Sequence, residues 1–411
     1  MQIKQTLVRL LLILLPLVGF AQTTYLSKDD KTYILLERME IKGQKDSILN
    51  FSKIRPFSRE QIIPTIEKYV SFGHDFVHTE IKNGLLTSVD VNNLWSTLVD
   101  NQEWSKQKFQ SKKPIGKNFY HTPANLYEVH IKDFDLIVNP VIQFVVSKEN
   151  NNNQKLFLNT RGLYVRGKIA DKIGYYAYIT DNQERDPAYV QQWVNAYKAV
   201  PGEGYYKTFK TTGYDYFDAT GYFTFSATKY IDVAFGYDKN FIGNGYRSLF
   251  LSDFSNNALF LKLNTRIWKI NYENLFMELN ATEPRGPDRL LKKKYATIHH
   301  LDINVTKSVN VGLFEGVIFG RPDHFEFGYL NPIIFYRSIE QQNGSFDNAL
   351  VGFDGKANIK KAVQLYGQLV IDEFVLAEIK KNRGSWVNKW GMQFGAKYID
   401  AFKIKNLDLQ V

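Results

Sequence analysis

The chain contains no cysteine among its 411 residues. This excludes a disulfide framework, a thiolate metal site and a cysteine nucleophile, and with them the lipidated cysteine of a lipoprotein. Apolar runs are equally scarce. The mean hydropathy is −0.31, and past residue 21 no stretch of about 18 apolar residues exists to span a bilayer as a helix. Aromatic residues are plentiful at 15%, with 25 Tyr and 30 Phe. That is a heavy load for a soluble domain, and membrane barrels place such residues in girdles at the lipid interfaces.

The first residues read as a secretory leader. Lys4 and Arg9 supply the positive start, Leu10 to Val18 form a short apolar core, and Gly19 and Ala21 put small residues before Gln22. The apolar core is too short for an anchor helix. Cleavage before Gln22 is expected, giving a leader over 1–21. Of the formal net charge of +10, two units lie in this leader, so the mature chain carries about +8. A basic surface suits anionic lipopolysaccharide or an acidic glycan as well as nucleic acid, and export makes nucleic acid an unsuitable partner. An exported chain without spanning helices enters a second membrane only as a barrel, because lipid offers its backbone no hydrogen bonds.

Residues 22–120 carry helical periodicity. Ser58 and Gln61 match a capping box before Ile62, Ile63, Ile66 and Tyr69, with Pro64 shortening or kinking the first turns. A second helix is expected after Ser88, with Val91, Leu94, Trp95 and Leu98 on one face, and a third over Lys28 to Met39. Residues 101–117 are polar, with five lysines, and are expected to be a linker. The region reads as a small periplasmic helical domain seated at a barrel mouth.

From residue 121 to 411 the period changes to two. Ile231, Val233, Phe235 and Tyr237 alternate with Asp232, Ala234, Gly236 and Asp238; Leu301, Ile303 and Val305 alternate with Asp302, Asn304 and Thr306. Segments of roughly 8 to 12 residues fit tilted strands crossing hydrocarbon. Alternation alone leaves two arrangements open: apolar side to a core and polar side to water, or apolar side to lipid and polar side inward. Export and aromatic load favour the second. The fold expected is mainly β, an antiparallel transmembrane barrel with about 12–14 strands present. Short links at Asp171, Lys172 and Ser308 are expected on the periplasmic side. Long links at 184–212 (with a short helix near Tyr189 to Tyr197), 241–254, 280–294 and 321–346 are expected outside. The chain ends in mid-pattern at 407–411, so further strands are expected beyond Val411.

Six segments carry a resemblance: 33–40 (YILLERME), 55–59 (RPFSR), 241–253 (FIGNGYRSLFLSD), 312–321 (GLFEGVIFGR), 329–340 with 344–348 (YLNPIIFYRSIE, GSFDN) and 365–374 (LYGQLVIDEF). Together they resemble Wzi-type capsule-assembly outer-membrane proteins, in the branch that includes the gliding-motility protein RemB. The resemblance implies a helical bundle closing a barrel in the outer membrane, and a non-enzymatic role in anchoring or organising surface polysaccharide. Its alternative is a structural or adhesion part of a gliding apparatus, whose partners would be motility or export proteins. A diffusion porin is disfavoured by the helices and bulky links.

The same segments concentrate polar groups seldom turned to lipid. Arg247, Asp253, Glu315, Arg321, Arg337, Glu340 and Asp347 form the candidate polysaccharide site, expected together near the outer mouth; Asn331, Asp372 and Glu373 lie in the same segments. Guanidinium forks and carboxylates can hydrogen-bond sugar hydroxyls and acidic sugars. The competing account is an internal salt-bridge network that orders the links. Asp372 and Glu373 are strand neighbours facing opposite ways and cannot serve as a glycosidase pair; Glu315 with Glu340 is the remaining acid pair, and hydrolysis is the less favoured reading. His299 and His300 diverge in the same way, so no metal and no cofactor is expected. Gly243, Asn244 and Gly245 lack the Lys-Ser/Thr of a phosphate loop and read as a turn. Lys292, Lys293 and Lys294 read as a solvated link. Tyr175, Tyr176, Tyr178, Tyr222, Phe223 and Phe225 read as girdle rather than sugar platform.

Overall fold

The structure, a computed structural model, describes residues 24–27, 31–71, 80–81, 85–280, 291–321, 324, 326–344, 346–373, 378, 380 and 388–411. The expected leader lies outside the described residues, as do the start of the Lys28–Met39 helix and most of the 280–294 link.

Three helices precede the strands. The first, α1 (Thr32–Gly43), buries Tyr33, Leu36 and Met39, the three residues expected to share a side. In α2 (Arg59–Glu67), Ser58 caps the start by accepting from Gln61 N at 3.4 Å, and Pro64 is tolerated near the middle. α3 (Ser88–Asp100) starts from Thr87 rather than Ser88: Thr87 and Asp90 form a reciprocal capping box. The apolar faces meet in one cluster that includes Leu35, Leu36, Met39, Ile63, Ile66, Leu94 and Leu98. Each helix is too short to be stable alone, so this shared burial holds them. The polar stretch 101–117 is not a free linker over its first half, since Trp104 and Phe109 pack on that cluster.

The rest is mainly β. The short strands β1 (Ile54–Arg55), β2 (Val70–Ser71) and β3 (Glu80–Ile81) lie within the helical region. After them come β4 (Tyr127–Ile131), β5 (Phe134–Lys148), β6 (Lys155–Ile169), β7 (Ile173–Arg185), β8 (Lys207–Phe209), β9 (Gly213–Thr228), β10 (Ile231–Asp238) and β11 (Phe241–Ile242). Then follow β12 (Ala258–Ile267), β13 (Ile270–Asn280), β14 (Lys293–Asn304), β15 (Val309–Phe319), β16 (Asn348–Ile359), β17 (Val363–Glu373), β18 (Lys389–Tyr398) and β19 (Leu409–Gln410). Fifteen strands make one antiparallel sheet. Fourteen run in chain order from β4 to β19, β11 leaving the order, and β8 pairs beside β9. Among the described residues no pairing joins β4 to β19. No described helix is long and apolar enough to cross a membrane, which says nothing about strands.

Turns alternate in length along this meander. Tight links such as 170–172, 229–230, 268–269 and 360–362 lie at one end, and the links 186–206, 239–257 and 320–347 at the other. The 184–212 link contains α4 (Ala188–Tyr197), as its pattern predicted.

The decisive feature is which parity is covered. Ile142 is 80% exposed, and Phe144, Val146, Phe217, Phe223, Phe235, Phe353, Trp390 and Phe394 are exposed with it. The alternate positions are buried and polar: Thr160, Asp218, Thr224, Lys262, Glu273, His300, Asp302, Asp354, Lys356, Gln364 and Gln368. A soluble sandwich buries the opposite parity. One expectation is corrected here. Tyr176, Tyr178 and Tyr222 lie on the inward parity, where Tyr176 stacks on Tyr222 at 5.2 Å and Tyr222 reaches Tyr25; Tyr175, Phe223 and Phe225 face out.

The helices sit on this polar face at the tight-turn end. Lys53, fully buried, lies between Asp302 (3.2 Å) and Asp354, which also takes His300 at 2.7 Å. Gly312 leaves the room these groups occupy, because a Cβ there would collide with Asp354 and His300. Lys356 reaches Glu40 of α1 at 2.6 Å, and Asn50 donates to Asn304 at 2.7 Å. On α1, Arg38 and Lys42 share Asp90 at 2.7 Å each and extend to Asp400 at 3.0 and 2.8 Å, clasping the 399–408 turn.

Two predictions follow from these pairs. Lys53→Met strands two buried carboxylates at a cost on the order of 3–5 kcal/mol. The urea midpoint of the folded gel-mobility form should fall accordingly, and an unchanged midpoint would refute the pairing. Burial pushes the Asp90 carboxyl up, but hydrogen bonds from Arg38, Lys42 and Thr87 N outweigh it and hold Asp90 well below the usual range. A depressed carboxylate contributes fully above its unfolded value, about pH 4, and its contribution is lost as pH falls further. Trp95 and Trp104 fluorescence should therefore report loosening of the helices below about pH 4, and Asp90→Asn should remove that acid step.

Candidate functional site

The long-link end carries all seven candidate residues, but on two faces. The 239–257 link turns in over the helix-bearing face. β11 pairs with β1, joining this link to the helical region: Ile54 faces Ile242, and Gly243 N donates to Lys53 O at 2.9 Å. Phe250 stacks on Phe314 at 4.3 Å, and Leu249 N donates to Gln368 at 3.0 Å. The Gly243 to Gly245 segment, expected as a turn, is a bend that follows β11. Arg247 pairs with Asp253 at 3.2 Å, both half-exposed, with its guanidinium 4.7 Å from the Tyr246 ring and 5.6 Å from Phe254. They border a cavity of about 730 Å³ with Arg55, Glu203, Lys239 and Gln410. A second cavity of about 210 Å³ shares Glu203, Lys239 and Asp253 and is walled by Thr160, Asn182, Tyr216 and Asp218. A third space between the helices and β10–β13 is only about 50 Å³, room for a water or two rather than a ligand.

The 320–347 link folds onto the opposite face. Arg321 holds Asp347 with two hydrogen bonds of 2.7 and 2.8 Å, and Tyr329 adds a third at 2.8 Å. In α5 (Tyr336–Gln342), Arg337 bonds Glu340 at 2.5 Å through its side chain and donates from its backbone N to Glu315 at 3.0 Å. Asn331 accepts from Ile333 N, closing a local turn. Tyr329 and Tyr336 are buried with Val317 and Phe319. The three guanidiniums expected to gather at one mouth therefore divide: Arg247 with Asp253 on the helix-bearing face, and Arg321 and Arg337 with Glu315, Glu340 and Asp347 on the other. The cause is strand parity. Glu315 pairs in register with His299, one residue out of phase with inward His300.

His299 and His300 diverge as expected. His300 meets Asp354, and His299 lies against the Tyr336 ring at 4.0 Å. Glu373 pairs with Lys389 at 3.2 Å, beside a register shift at Asp372. Lys293 and Lys294, expected in a solvated link, instead begin β14 paired against β13, and Lys293 reaches Glu278 at 3.0 Å.

Sequence reading missed Glu203, Lys239, Tyr246 and Phe254 as neighbours of Arg247. Tyr246 and Phe254 flank the chosen Arg247 and Asp253, so widening that window by one residue finds them. Glu203 comes from the preceding long link, more than forty residues before Arg247, and carried no local signal. Chemically the inner chamber offers what a glycan needs: exposed aromatic faces, amide and hydroxyl groups, and a guanidinium fork. The outer cluster is spent on holding its own link.

No protein-family model matches this chain, and no curated protein matches it in sequence.

The two clusters should respond differently to mutation. Arg247→Ala removes a half-exposed pair worth about 0–1 kcal/mol and should leave folding intact. Arg321→Ala removes charged hydrogen bonds worth roughly 1.5–3 kcal/mol and should make the 320–347 link protease-sensitive. Limited proteolysis beside a gel-mobility assay checks both; equal sensitivity in the two variants would contradict the division.

Proposed function

We propose that this chain is an outer-membrane β-barrel of the Wzi type that anchors or organises surface polysaccharide without catalysing a reaction. The observation that carries this reading is the inverted parity of the meander. Large apolar side chains cover the outer face of consecutive antiparallel strands, and paired charges fill the inner one. Lipid rewards the first arrangement, and a polar interior, filled with water or with protein, accommodates the second. Tight turns then face the periplasm and long links the exterior, which puts the helices at the periplasmic end.

The interior is occupied from both ends. Helices enter from the tight-turn side, the 239–257 link enters from the other, and the two meet at the β1–β11 pair. Such a barrel is a platform rather than a pore. Its outward chamber, bordered by Tyr246, Arg247, Asp253 and Phe254, is the place for an acidic sugar chain to rest: the guanidinium offers a rigid fork of donors and the rings offer stacking faces.

Two measurements test this. In a planar bilayer the refolded protein should show no steady single-channel conductance; an open pore of porin size would overturn the platform. In cells, Arg247→Ala combined with Tyr246→Ala should leave barrel insertion intact and release surface polymer into the medium without lowering total polymer. Retention of all polymer, with motility proteins recovered by crosslinking, would favour the gliding alternative.

A further inference from the structure

The link 320–347 leaves the strands at the long-link end and runs back along the face that carries the apolar side chains. It covers an anomaly there. On the outward parity of β13–β15, where neighbours such as Val311 and Leu313 are exposed and apolar, Asn274, Thr297, His299 and Glu315 form a polar patch. Lipid against such groups is costly. The link takes the lipid's place: Tyr336 lies on His299, Arg337 N donates to Glu315, and Tyr272 OH donates to Pro332 O at 2.7 Å. It covers β15 from Glu315 to Phe319, about 13 Å along the strand. This depth carries it below the rim of the sheet rather than above it.

The far side of the link exposes large apolar side chains over Phe327 and Ile333–Phe335, with Asn331 between them and the polar Ser338, Gln341, Gln342 and Asn343 exposed further along. Ile333 is 86% exposed, and Phe327, Phe335 and Phe346 are exposed beside it. Leu313 and Phe353, on the strand parity that the link packs against, are exposed and apolar as well. We infer that the 326–347 segment is a lipid-inserted flap: it seals the polar patch of the barrel wall and embeds Phe327, Ile333 and Phe335 among the acyl chains of the outer leaflet. The inference rests on the barrel reading and adds to it a membrane-contacting surface that is not a strand. Folded segments with one apolar face settle at this depth, at the boundary of headgroups and acyl chains. The half-exposed Arg337 side chain, in α5 just after Phe335, can reach the headgroups.

Because the chain has no cysteine, single cysteines report cleanly. The full chain is refolded into phosphatidylcholine vesicles carrying a nitroxide-labelled lipid, with Ile333→Cys, Phe335→Cys, Phe353→Cys on a strand, and Asn195→Cys on the exposed α4 link. Fluorophores at 333 and 335 should be quenched as strongly as at 353. Their thiols should react with a membrane-impermeant maleimide roughly tenfold or more slowly than the thiol at 195. If 333 and 335 react as fast as 195 while 353 is quenched, the flap is wrong and the barrel stands. If 353 is also unquenched and fast, the barrel reading falls and the flap with it. Slow labelling at 333 and 335 without lipid quenching overturns the flap in favour of a protein neighbour on that surface.

Discussion

Charges on the covered face of this sheet have to be met by other charges, and that requirement organises the molecule. Lys53 is the clearest case. It is wholly buried, and two carboxylates from different strands, Asp302 and Asp354, converge on it. An ammonium in such a place is tolerated only because its carboxylate partners are buried with it. The strands fix Asp302 and Asp354; the helical region delivers Lys53 between them. Glu40 with Lys356 repeats the arrangement in the opposite sense, the carboxylate coming from the helix and the ammonium from the strand. Neither the helices nor the sheet face is electrostatically complete without the other.

That dependence explains why the apolar cluster of the helices and the polar contacts to the sheet coexist. Leu36, Met39, Ile63 and Leu98 hold three short helices together, and α1 also carries Glu40 to strand β16 and Arg38 and Lys42 to the 399–408 turn. The hydrophobic effect assembles the helices but has no directional preference. The ion pairs and amide bonds set where they sit. A small slip of α1 would unpair Glu40 and Arg38 together, so the position is strongly determined even though each pair alone adds little net stability.

The two long links follow the same rule with opposite outcomes. The 239–257 link enters the polar face, where a backbone edge is available at Ile54 and Arg55, and pairs with it. The 320–347 link goes to the apolar face because a polar patch there needed covering. Both close a local deficit: unpaired backbone in one case, and Asn274, His299 and Glu315 in the other. The result, at the long-link end, is the chamber around Arg247, whose Arg247–Asp253 pair stays half-exposed.

Much of this was present in the residue order. The period of two, the helix periodicity, the Ser58 cap, the helix at 188–197 and the alternation of short and long links are local properties, and local physics reads them directly. The divergence of His299 and His300 follows from the pleat alone. The choice between apolar-out and apolar-in did not lie in the alternation, which is the same for both; it was decided by what covers each face. The grouping of the candidate residues was likewise beyond a linear reading. Glu315 is one residue out of phase with the inward set, and that single step sent Arg337 and Glu340 to the far face from Arg247. Asp302, Asp354 and Lys53 are separated by up to three hundred residues, and nothing near any of them announces the others. The sequence by itself determined which segments form strands and helices and which side of each is polar, because these are short-range consequences of side-chain spacing. Only the tertiary structure decided which polar groups meet, because that depends on register and on the path of links whose ends are fixed far apart.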